Sequence, residues 1–323
     1  MAAGPAGGGC GTLMALSWRY ALEYRAVAAI AAAVRALPQW ASLALGSAIG
    51  WVFYIVDAPH RRLTVANLTA AFPHKRPAEI RAIARGVFVH FGSLLTELLR
   101  FSGLPPARML AAVEFEGEER VTQALGGGKG ALFITGHFGY WELHAMAHPL
   151  RFPPIGVVVR ALDNPRLNAW IEALRTSTGN SVIHRRGALR QILRALGANQ
   201  GVAILIDQHI QTSEAVVVDF FNRPAATTSA VAALALRTGA PIVPVFAVRL
   251  PGGRYRMIYE HPVVPPPEDH PDAVRELTQR CTDVLEMYVR RYPNNWLWMH
   301  RRWRDLPSGE DIPGMFPAGA REE

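Results

Sequence analysis

Apolar residues follow two different spacings along this chain, and the change comes near residue 114. Through residues 80–99 they recur mostly every three or four positions, as they do on one face of a helix. Beyond residue 114 they gather in short runs rich in Val and Ile, which is typical of strands. The pattern therefore predicts a helical amino-terminal part followed by a part that contains a sheet.

Within the helical part, residues 40–56 form an apolar stretch without a formal charge. Its length lies near the lower limit for a membrane span, roughly 17 to 25 residues, and it contains Gly46 and Gly50. The stretch fits a spanning helix, a re-entrant or interfacial helix, or a buried core helix, and we expect it to contact a membrane. The predicted helices of this part span residues 18–34, 40–56 and 60–72, and a long one follows Pro77.

The second part alternates predicted strands with predicted helices. Strands are predicted over residues 131–135, 155–160, 181–184, 202–206, 215–220, 242–249 and 254–260. Helices are predicted over residues 165–177, 188–196, 228–238 and 271–291. This alternation indicates an α/β fold with a mainly parallel or mixed central sheet flanked by helices.

Four segments follow from these patterns. They are a disordered amino terminus (1–16), a helical membrane-associated region (17–112), an α/β core with a carboxyl-terminal helix and a Trp-rich segment (113–306), and a flexible tail (307–323).

Composition narrows the classes of partner. The 323 residues are 50% hydrophobic and 19% charged, and the formal net charge of +8 favours polyanionic partners such as an anionic membrane, phosphorylated lipids, nucleic acid or an acidic carrier protein. Cys10 and Cys281 are too few and too far apart to indicate a disulfide framework or a thiolate metal site. Residues 1–12 carry no basic residue, so they do not resemble a cleavable signal peptide.

The most informative local pattern is Gly136-His137-Phe138-Gly139-Tyr140-Trp141-Glu142, directly after a predicted strand. That position places His137 at the carboxyl end of a strand, where open α/β sheets bind ligands. If His137 and Glu142 lay in one regular helix, their side chains would point about 140° apart around the helix axis. If the glycines turn the chain, so that His137 lies in the loop and Glu142 in the first helical turn, the carboxylate can reach one imidazole nitrogen.

Such a pair would act as a general base. The carboxylate fixes the tautomer, and the other imidazole nitrogen takes the proton from an attacking hydroxyl. The alternative is structural: His137 caps the helix and Glu142 faces solvent.

The segment resembles the His-x-x-x-x-Asp/Glu signature of glycerolipid acyltransferases, in the His-Phe-Gly-Asn-Trp-Glu form of the late acyltransferases of bacterial lipid A biosynthesis. Further blocks agree in order along the chain: Arg61, Asn67-Leu68 and Ala71-Phe72-Pro73; Val157-Val158-Val159-Arg160 and Asp163-Asn164-Pro165; Ile206-Asp207-Gln208; Phe220-Phe221-Asn222-Arg223-Pro224-Ala225; and Trp296 to Trp303. Tyr140 departs from the pattern, because the common form has Asn there.

This resemblance implies transfer of a fatty acyl group from acyl carrier protein or acyl-CoA to a hydroxyl of a lipid A precursor, an anionic glycolipid. It implies an enzyme at the cytoplasmic face of the inner membrane, with His137 and Glu142 as the catalytic pair and with no cofactor and no metal. Arg160 matches a family arginine and is the first candidate to bind acceptor phosphate, followed by Arg186 and Arg223. Asp207 and Gln208 are expected to line the same crevice. The competing acceptors are a mannosylated phosphatidylinositol, a lysophospholipid or an aminolipid.

Several other patterns point elsewhere and are weaker. His144 and His148 have the spacing of two zinc ligands, but the segment is not His-Glu-x-x-His and Pro149 follows at once. Residues 126–130 are Gly-rich but precede a strand, unlike a phosphate-binding loop, and no Gly-x-Ser-x-Gly elbow of a serine esterase occurs.

The segment from Trp296 to Arg304 combines aromatic and basic residues, as single-strand nucleic-acid sites do. Anchoring at a membrane interface combined with packing on the core explains it more simply, so we expect no nucleic acid partner. A membrane scaffold without activity is the non-enzymatic alternative, and the presence of both His137 and Glu142 argues against it.

Overall fold

The computed structural model describes residues 9–211 and 215–303, with side chains from residue 18 onward. The tail predicted to be flexible (307–323) lies outside the described residues, as do residues 1–8 of the segment predicted to be disordered.

Five helices form the amino-terminal part of the described chain; the apolar spacing predicted the first four but not the short fifth. They are α1 (Gly9–Ala36), α2 (Gln39–Val56), α3 (Ala58–Ala71), α4 (Pro77–Phe101) and the short α5 (Pro106–Ala111). Helix α1 begins before the boundary that the sequence suggested at residue 17. Pro38 precedes the first residue of α2 in an extended conformation, which ends α1 and starts a new helix.

Helices α2 and α4 pack closely because glycines lie at their contact. A Cβ atom at Gly50 would lie 2.1 Å from the carbonyl oxygen of Phe88, and one at Gly46 would lie 2.7 Å from that of Gly92. Both helices are long and apolar enough to cross a membrane by length and composition alone. Half of the apolar window of α4 is buried but only 17% of that of α2, so α4 is a core helix and α2 exposes its apolar residues.

A seven-stranded sheet follows, with the strand order β1-β9-β8-β2-β5-β3-β4. Its strands are β1 (Val113–Glu116), β2 (Ala131–Thr135), β3 (Ile155–Val159), β4 (Ser181–His184), β5 (Gly201–Leu205), β8 (Ile242–Arg249) and β9 (Tyr255–Tyr259). All neighbouring pairs are parallel except β8 with β9. Strands β6 (Ala215–Asp219) and β7 (Pro224–Thr228) form a separate antiparallel hairpin.

The remaining helices connect these strands and cover the sheet. They are α6 (Glu118–Gly126), α7 (Glu142–Ala147), α8 (Pro165–Thr176), α9 (Ala188–Gly197), α10 (Ala230–Thr238) and α11 (Ala273–Arg291). Strand β2 shows that both faces are covered. Leu132 and Ile134 belong to one apolar cluster with α9, α10 and α11, while Phe133 belongs to another with α6 and α7. The predicted α/β class and mixed central sheet are confirmed.

The sequence pattern missed two strands. Strand β7 reads Pro-Ala-Ala-Thr-Thr, which has no large apolar residue, so the predicted helix at 228–238 began within it. Strand β1 has only four residues, and its partner β9 lies more than a hundred residues away in sequence. Both strands exist because of pairing with another strand, which local periodicity does not report.

Candidate active site

His137 lies in the loop between β2 and α7, as predicted. Strand β2 ends at Thr135, and Glu142 is the first residue of α7. Asp207 follows the neighbouring parallel strand β5, which ends at Leu205. Because parallel strands end at the same edge of a sheet, His137 and Asp207 meet at its carboxyl edge.

The carboxylate of Asp207 binds both the side chain and the backbone of His137. Its Oδ1 lies 2.8 Å from His137 Nδ1, and its Oδ2 accepts from the His137 backbone N–H at 2.7 Å. Trp296 Nε1 donates to the same Oδ2 at 2.9 Å. The Asp207 side chain is 3% exposed and that of His137 is 20% exposed, so the carboxylate is enclosed while the imidazole reaches the surface.

The two groups shift each other's pKa in opposite directions. Burial alone would lower the pKa of His137, but the charge of Asp207 and the hydrogen bond to it outweigh burial, so the pKa is raised. Burial alone would raise the pKa of Asp207, but the charge of His137 and three hydrogen bonds lower it. An ionised Asp207 therefore holds the proton on Nδ1 of His137 and leaves Nε2 able to accept one.

Glu142 does not contact the imidazole at ion-pair distance. Its carboxylate pairs with Arg175 of α8 through two hydrogen bonds, from Nε at 2.9 Å and from Nη2 at 2.5 Å. The carboxylate at the imidazole is thus Asp207, whereas the sequence had suggested Glu142. The physical reason is topological: Asp207 directly follows the adjacent strand β5 and so lies beside His137, while the first turn of α7 directs Glu142 towards α8.

Backbone contacts fix the His137 loop from two sides. Gly139 N–H donates to the carbonyl oxygen of Asn295 at 2.8 Å, and Tyr140 N–H donates to that of Ala247 at 3.0 Å. Gly139 has a φ of +57°, and a Cβ atom there would lie 1.9 Å from the carbonyl oxygen of Ala247. Only glycine fits this position, because both the φ value and the space exclude a side chain.

The Trp-rich segment is a buried support for this loop. Trp296 and Trp298 are 1% and 0% exposed, and Leu297 N–H donates to the carbonyl oxygen of His137. Asn67 of α3 donates to the carbonyl oxygens of Trp298 and His300. The predicted packing on the core is confirmed, but the predicted membrane anchoring is wrong for Trp296 and Trp298, which have no surface to offer.

Arg302 belongs to the same buried segment. It is 1% exposed and donates to the carbonyl oxygen of Ala226 and to the Thr227 hydroxyl in β7. Burial lowers the pKa of Arg302 to about 10, and the charge of Asp207 acts in the opposite direction. The guanidinium therefore lies against the small residues of β7.

The predicted binding residues differ in where the structure places them. Arg160 directly follows β3 and Arg186 lies two residues after β4, so both are exposed at the carboxyl edge that carries His137. Gln208 is exposed next to Asp207. Arg223 is half-buried in the β6–β7 turn, with its guanidinium 4.5 Å from the ring centre of Trp303.

Tyr140, the departure from the family pattern, is buried away from the imidazole. Its ring contacts Phe101 at 6.0 Å and Tyr255 at 5.1 Å between centroids. Tyr140 therefore contributes to the packing behind the loop.

His144 and His148 lie inside the core. Burial lowers the pKa of His144 to about 3 and that of His148 to about 4, and His148 Nδ1 lies 2.7 Å from the Tyr259 hydroxyl. No group of three or more side chains suited to hold a metal ion occurs among residues 18–211 and 215–303.

The sequence did not single out Arg175 or the contact of Trp296 with Asp207. Trp296 was visible as part of a family block, but only the fold brings it to the end of β5. Arg175 had no signal, because nothing local distinguishes it from the other arginines on exposed helices.

A histidine that is held by a buried carboxylate at the carboxyl edge of an α/β sheet is an arrangement that can support general base catalysis. The chain matches the family described as bacterial lipid A biosynthesis acyltransferase over residues 14–305, and it belongs to that family. It is an acyltransferase.

Its relatives include transferases of lipid A biosynthesis and phosphatidylinositol mannoside acyltransferases. The chain is 27% identical to the lipid A biosynthesis lauroyltransferase of Escherichia coli (strain K12), over 84% of this chain and 87% of that protein. It is 26% identical to the lipid A biosynthesis palmitoleoyltransferase of the same organism, over 77% and 81% of the two chains. It is 24% identical to a phosphatidylinositol mannoside acyltransferase of Mycobacterium tuberculosis, over 90% of each chain.

Proposed function

We propose that the protein transfers a fatty acyl chain from a thioester, carried by acyl carrier protein, to a hydroxyl of a lipid A precursor, with His137 as general base. The observation that supports this most is the hydrogen bond from His137 Nδ1 to the buried Asp207, which leaves Nε2 at the surface of the carboxyl edge. No enzyme nucleophile is needed, because the acceptor hydroxyl attacks directly.

The reaction proceeds by addition and elimination. Nε2 of His137 removes the proton of the acceptor hydroxyl as its oxygen bonds to the thioester carbonyl carbon, and a tetrahedral oxyanion forms. The carbon–sulfur bond then breaks, and the imidazolium returns its proton to the leaving thiolate. Asp207 stays ionised throughout and stabilises the imidazolium.

Glu142 takes a positioning role in this proposal. Its pair with Arg175 anchors the first turn of α7 to α8, and both charges lie near enough to His137 to affect the pKa of the imidazole, Glu142 raising it and Arg175 lowering it. Glu142 thereby neutralises a cation that would otherwise disfavour the imidazolium.

Exposed cations at the same edge support an anionic glycolipid acceptor. Arg160 is the first candidate to bind its phosphate and Arg186 the second, because a guanidinium binds phosphate with two hydrogen bonds. The net charge of +8 also suits an acidic carrier protein as the donor's partner.

The enzyme is proposed to work at the cytoplasmic face of the inner membrane. Helix α2 supports the membrane contact in this proposal, since Trp40, Trp51 and Phe53 are 74%, 50% and 54% exposed. A patch of this kind on a helix without formal charge is unfavourable in water and favourable in lipid.

The experiment that tests the proposed base uses His137→Asn. The amide nitrogen of asparagine superposes on Nδ1 of histidine and can still donate to Asp207, so the variant lacks the base but keeps the buried carboxylate paired. We expect the rate of acyl transfer to fall by a factor of about 10² to 10⁴. His261→Ala, an exposed histidine beyond β9 at the opposite edge of the sheet, is the control with full activity. A folded His137→Asn variant with wild-type turnover would refute the base assignment.

A second acceptor class is favoured by the phosphatidylinositol mannoside acyltransferases among the relatives. To distinguish the two acceptor classes, purified enzyme is incubated with each acceptor in turn. The acyl donor is either lauroyl-acyl carrier protein or lauroyl-CoA. Mass spectrometry should show one added acyl chain on the lipid A precursor, and addition to the mannosylated phosphatidylinositol alone would contradict the proposed acceptor.

A further inference from the structure

We propose that a groove at the end of α2 binds the headgroup of an anionic phospholipid of the surrounding bilayer. This inference rests on the proposed membrane location of α2. The groove has a volume of about 410 Å³, within the usual range of small-molecule sites, and it lies between the end of α2, helix α3 and the start of α4. It shares no lining residue with the catalytic edge.

The floor of the groove is apolar and its rim is cationic. Tyr54, Val65 and Ile80 contribute apolar lining, and the exposed Arg62 and Arg81 lie on the rim. This combination suits a ligand that has an anionic head joined to a hydrocarbon chain.

The rim cations are not neutralised by the acidic residues nearby. Among the described residues no carboxylate lies within 4.0 Å of Arg62, Lys75 or Arg81, and Lys75 instead contacts the Phe72 ring. Asp57 pairs with His60 and Glu79 pairs with Arg76, so the local acids are already engaged. Arg62 and Arg81 on the rim therefore have no ion-pair partner among the described residues, which is costly unless an anion binds or water solvates them.

Arg61 has a different task and fixes the shape of the groove. Its Nη1 donates to the carbonyl oxygens of Tyr54 and Ile55, and its guanidinium lies 5.6 Å from the centre of the Tyr54 ring. The last carbonyls of a helix lack intrahelical partners, so Arg61 satisfies those of α2 and holds Tyr54 as a wall.

The occupant follows from the position of the groove along α2. Phe53, Ile55 and Val56 at the end of α2 are 54%, 48% and 66% exposed, and Tyr54 lines the groove. A lipid whose acyl chain lies along this apolar face would bring its phosphate to the end of the helix, where Arg62 and Arg81 can bind it bidentately. A bilayer phospholipid therefore fits both the apolar and the cationic part, whereas a free phosphate would use only the rim.

The test compares two arginines of α4 that differ only in whether they line the groove. Arg81 lines it, and Arg85, one turn further on and also exposed, does not. The variants are Arg62→Gln with Arg81→Gln, and Arg85→Gln as the matched control. Full-length protein in detergent is titrated with phosphatidylglycerol and with phosphatidylcholine, and bound lipid is measured by native mass spectrometry.

We expect wild-type protein to retain phosphatidylglycerol at least about tenfold more tightly than phosphatidylcholine. Each rim cation removed should weaken phosphatidylglycerol binding roughly fivefold, so the double variant loses about 25-fold, while Arg85→Gln changes it less than about twofold. All variants should keep the wild-type melting midpoint, because the substituted side chains are exposed and unpaired.

Equal weakening by Arg85→Gln would overturn the groove in favour of diffuse surface charge. Displacement of the lipid by inorganic phosphate at millimolar concentration would overturn the assignment to a phospholipid. Acyl transfer is measured separately: lipid retention without transfer supports the groove and refutes the proposed function, whereas transfer by a wild-type protein without lipid selectivity refutes the groove alone. His137→Asn should retain phosphatidylglycerol as the wild type does.

Discussion

The amino-terminal helices and the α/β core place their apolar residues in opposite ways. In α2 the apolar side chains face outward, with Trp40 74% and Val56 66% exposed, while Ser42, Gly46 and Gly50 are buried. In β2 all five residues are buried. The core is therefore stabilised by burial of large apolar side chains, whereas the contact of α2 with α4 depends on close approach of small residues.

In the α/β core, the largest effect on activity is expected from a substitution of Asp207. Asp207→Asn keeps the size of the side chain but removes the charge that fixes the His137 tautomer, so kcat/KM should fall by about 10² to 10⁴. Steady-state kinetics measure the loss. A decrease of less than about threefold would show that Asp207 is only structural.

The pH dependence of kcat/KM tests whether Asp207 raises the pKa of His137. The base is the neutral imidazole, so in the wild type kcat/KM should fall as the pH drops through the raised pKa of His137. In Asp207→Asn burial is no longer outweighed by the carboxylate, so the pKa falls and the acid limb should move to lower pH. An acid limb that stays in place in the variant would assign it to another group.

The next largest effect is expected at the mostly buried ion pair between Glu142 and Arg175 beside the site. Glu142→Gln leaves Arg175 without its partner and should lower the free energy of unfolding by about 3 kcal/mol, since the side chains are only 13% and 18% exposed. Because Glu142 acts through Arg175, adding Arg175→Met should restore at least half of that loss. Urea unfolding of the two single variants and the double variant measures the coupling, and additive losses would contradict it.

Glycine substitutions test the close packing of α2 against α4. Gly50→Ala would place a Cβ atom 2.1 Å from the carbonyl oxygen of Phe88, so the helices must separate, and we expect a loss of about 1 to 3 kcal/mol in the free energy of unfolding. Gly197→Ala in α9 meets nothing within 4 Å and should be neutral or stabilising by about 0.5 to 1 kcal/mol. Thermal unfolding in detergent compares the two, and equal effects would remove the basis for close α2–α4 packing.

The smallest expected effect on stability concerns the outward-facing residues of α2. Phe53→Ser with Val56→Ser should leave thermal unfolding in detergent almost unchanged but reduce partitioning into lipid vesicles by about tenfold. Leu189→Ser with Val264→Ser changes side chains in the core part that are 57% and 69% exposed, and should not alter partitioning. Loss of vesicle binding in both double variants would show that α2 is not the contact with lipid.

The sequence alone was enough to predict most helices and strands and to place His137 and Asp207 after strands. Periodicity and Val-rich runs located most helices and strands to within a few residues, because each element must bury one face or both. The position of His137 after β2 and of Asp207 after β5 followed from the same runs, as did the expectation that Asp207 lines the crevice.

Which carboxylate binds the imidazole could not be predicted without the folded structure. Strand order is not encoded in local spacing, so the adjacency of β2 and β5, and with it the contact of Asp207 with His137, became visible only in the folded sheet. The same holds for Arg175 as the partner of Glu142 and for Trp296 at Asp207, since these contacts join segments that are 33 and 89 residues apart.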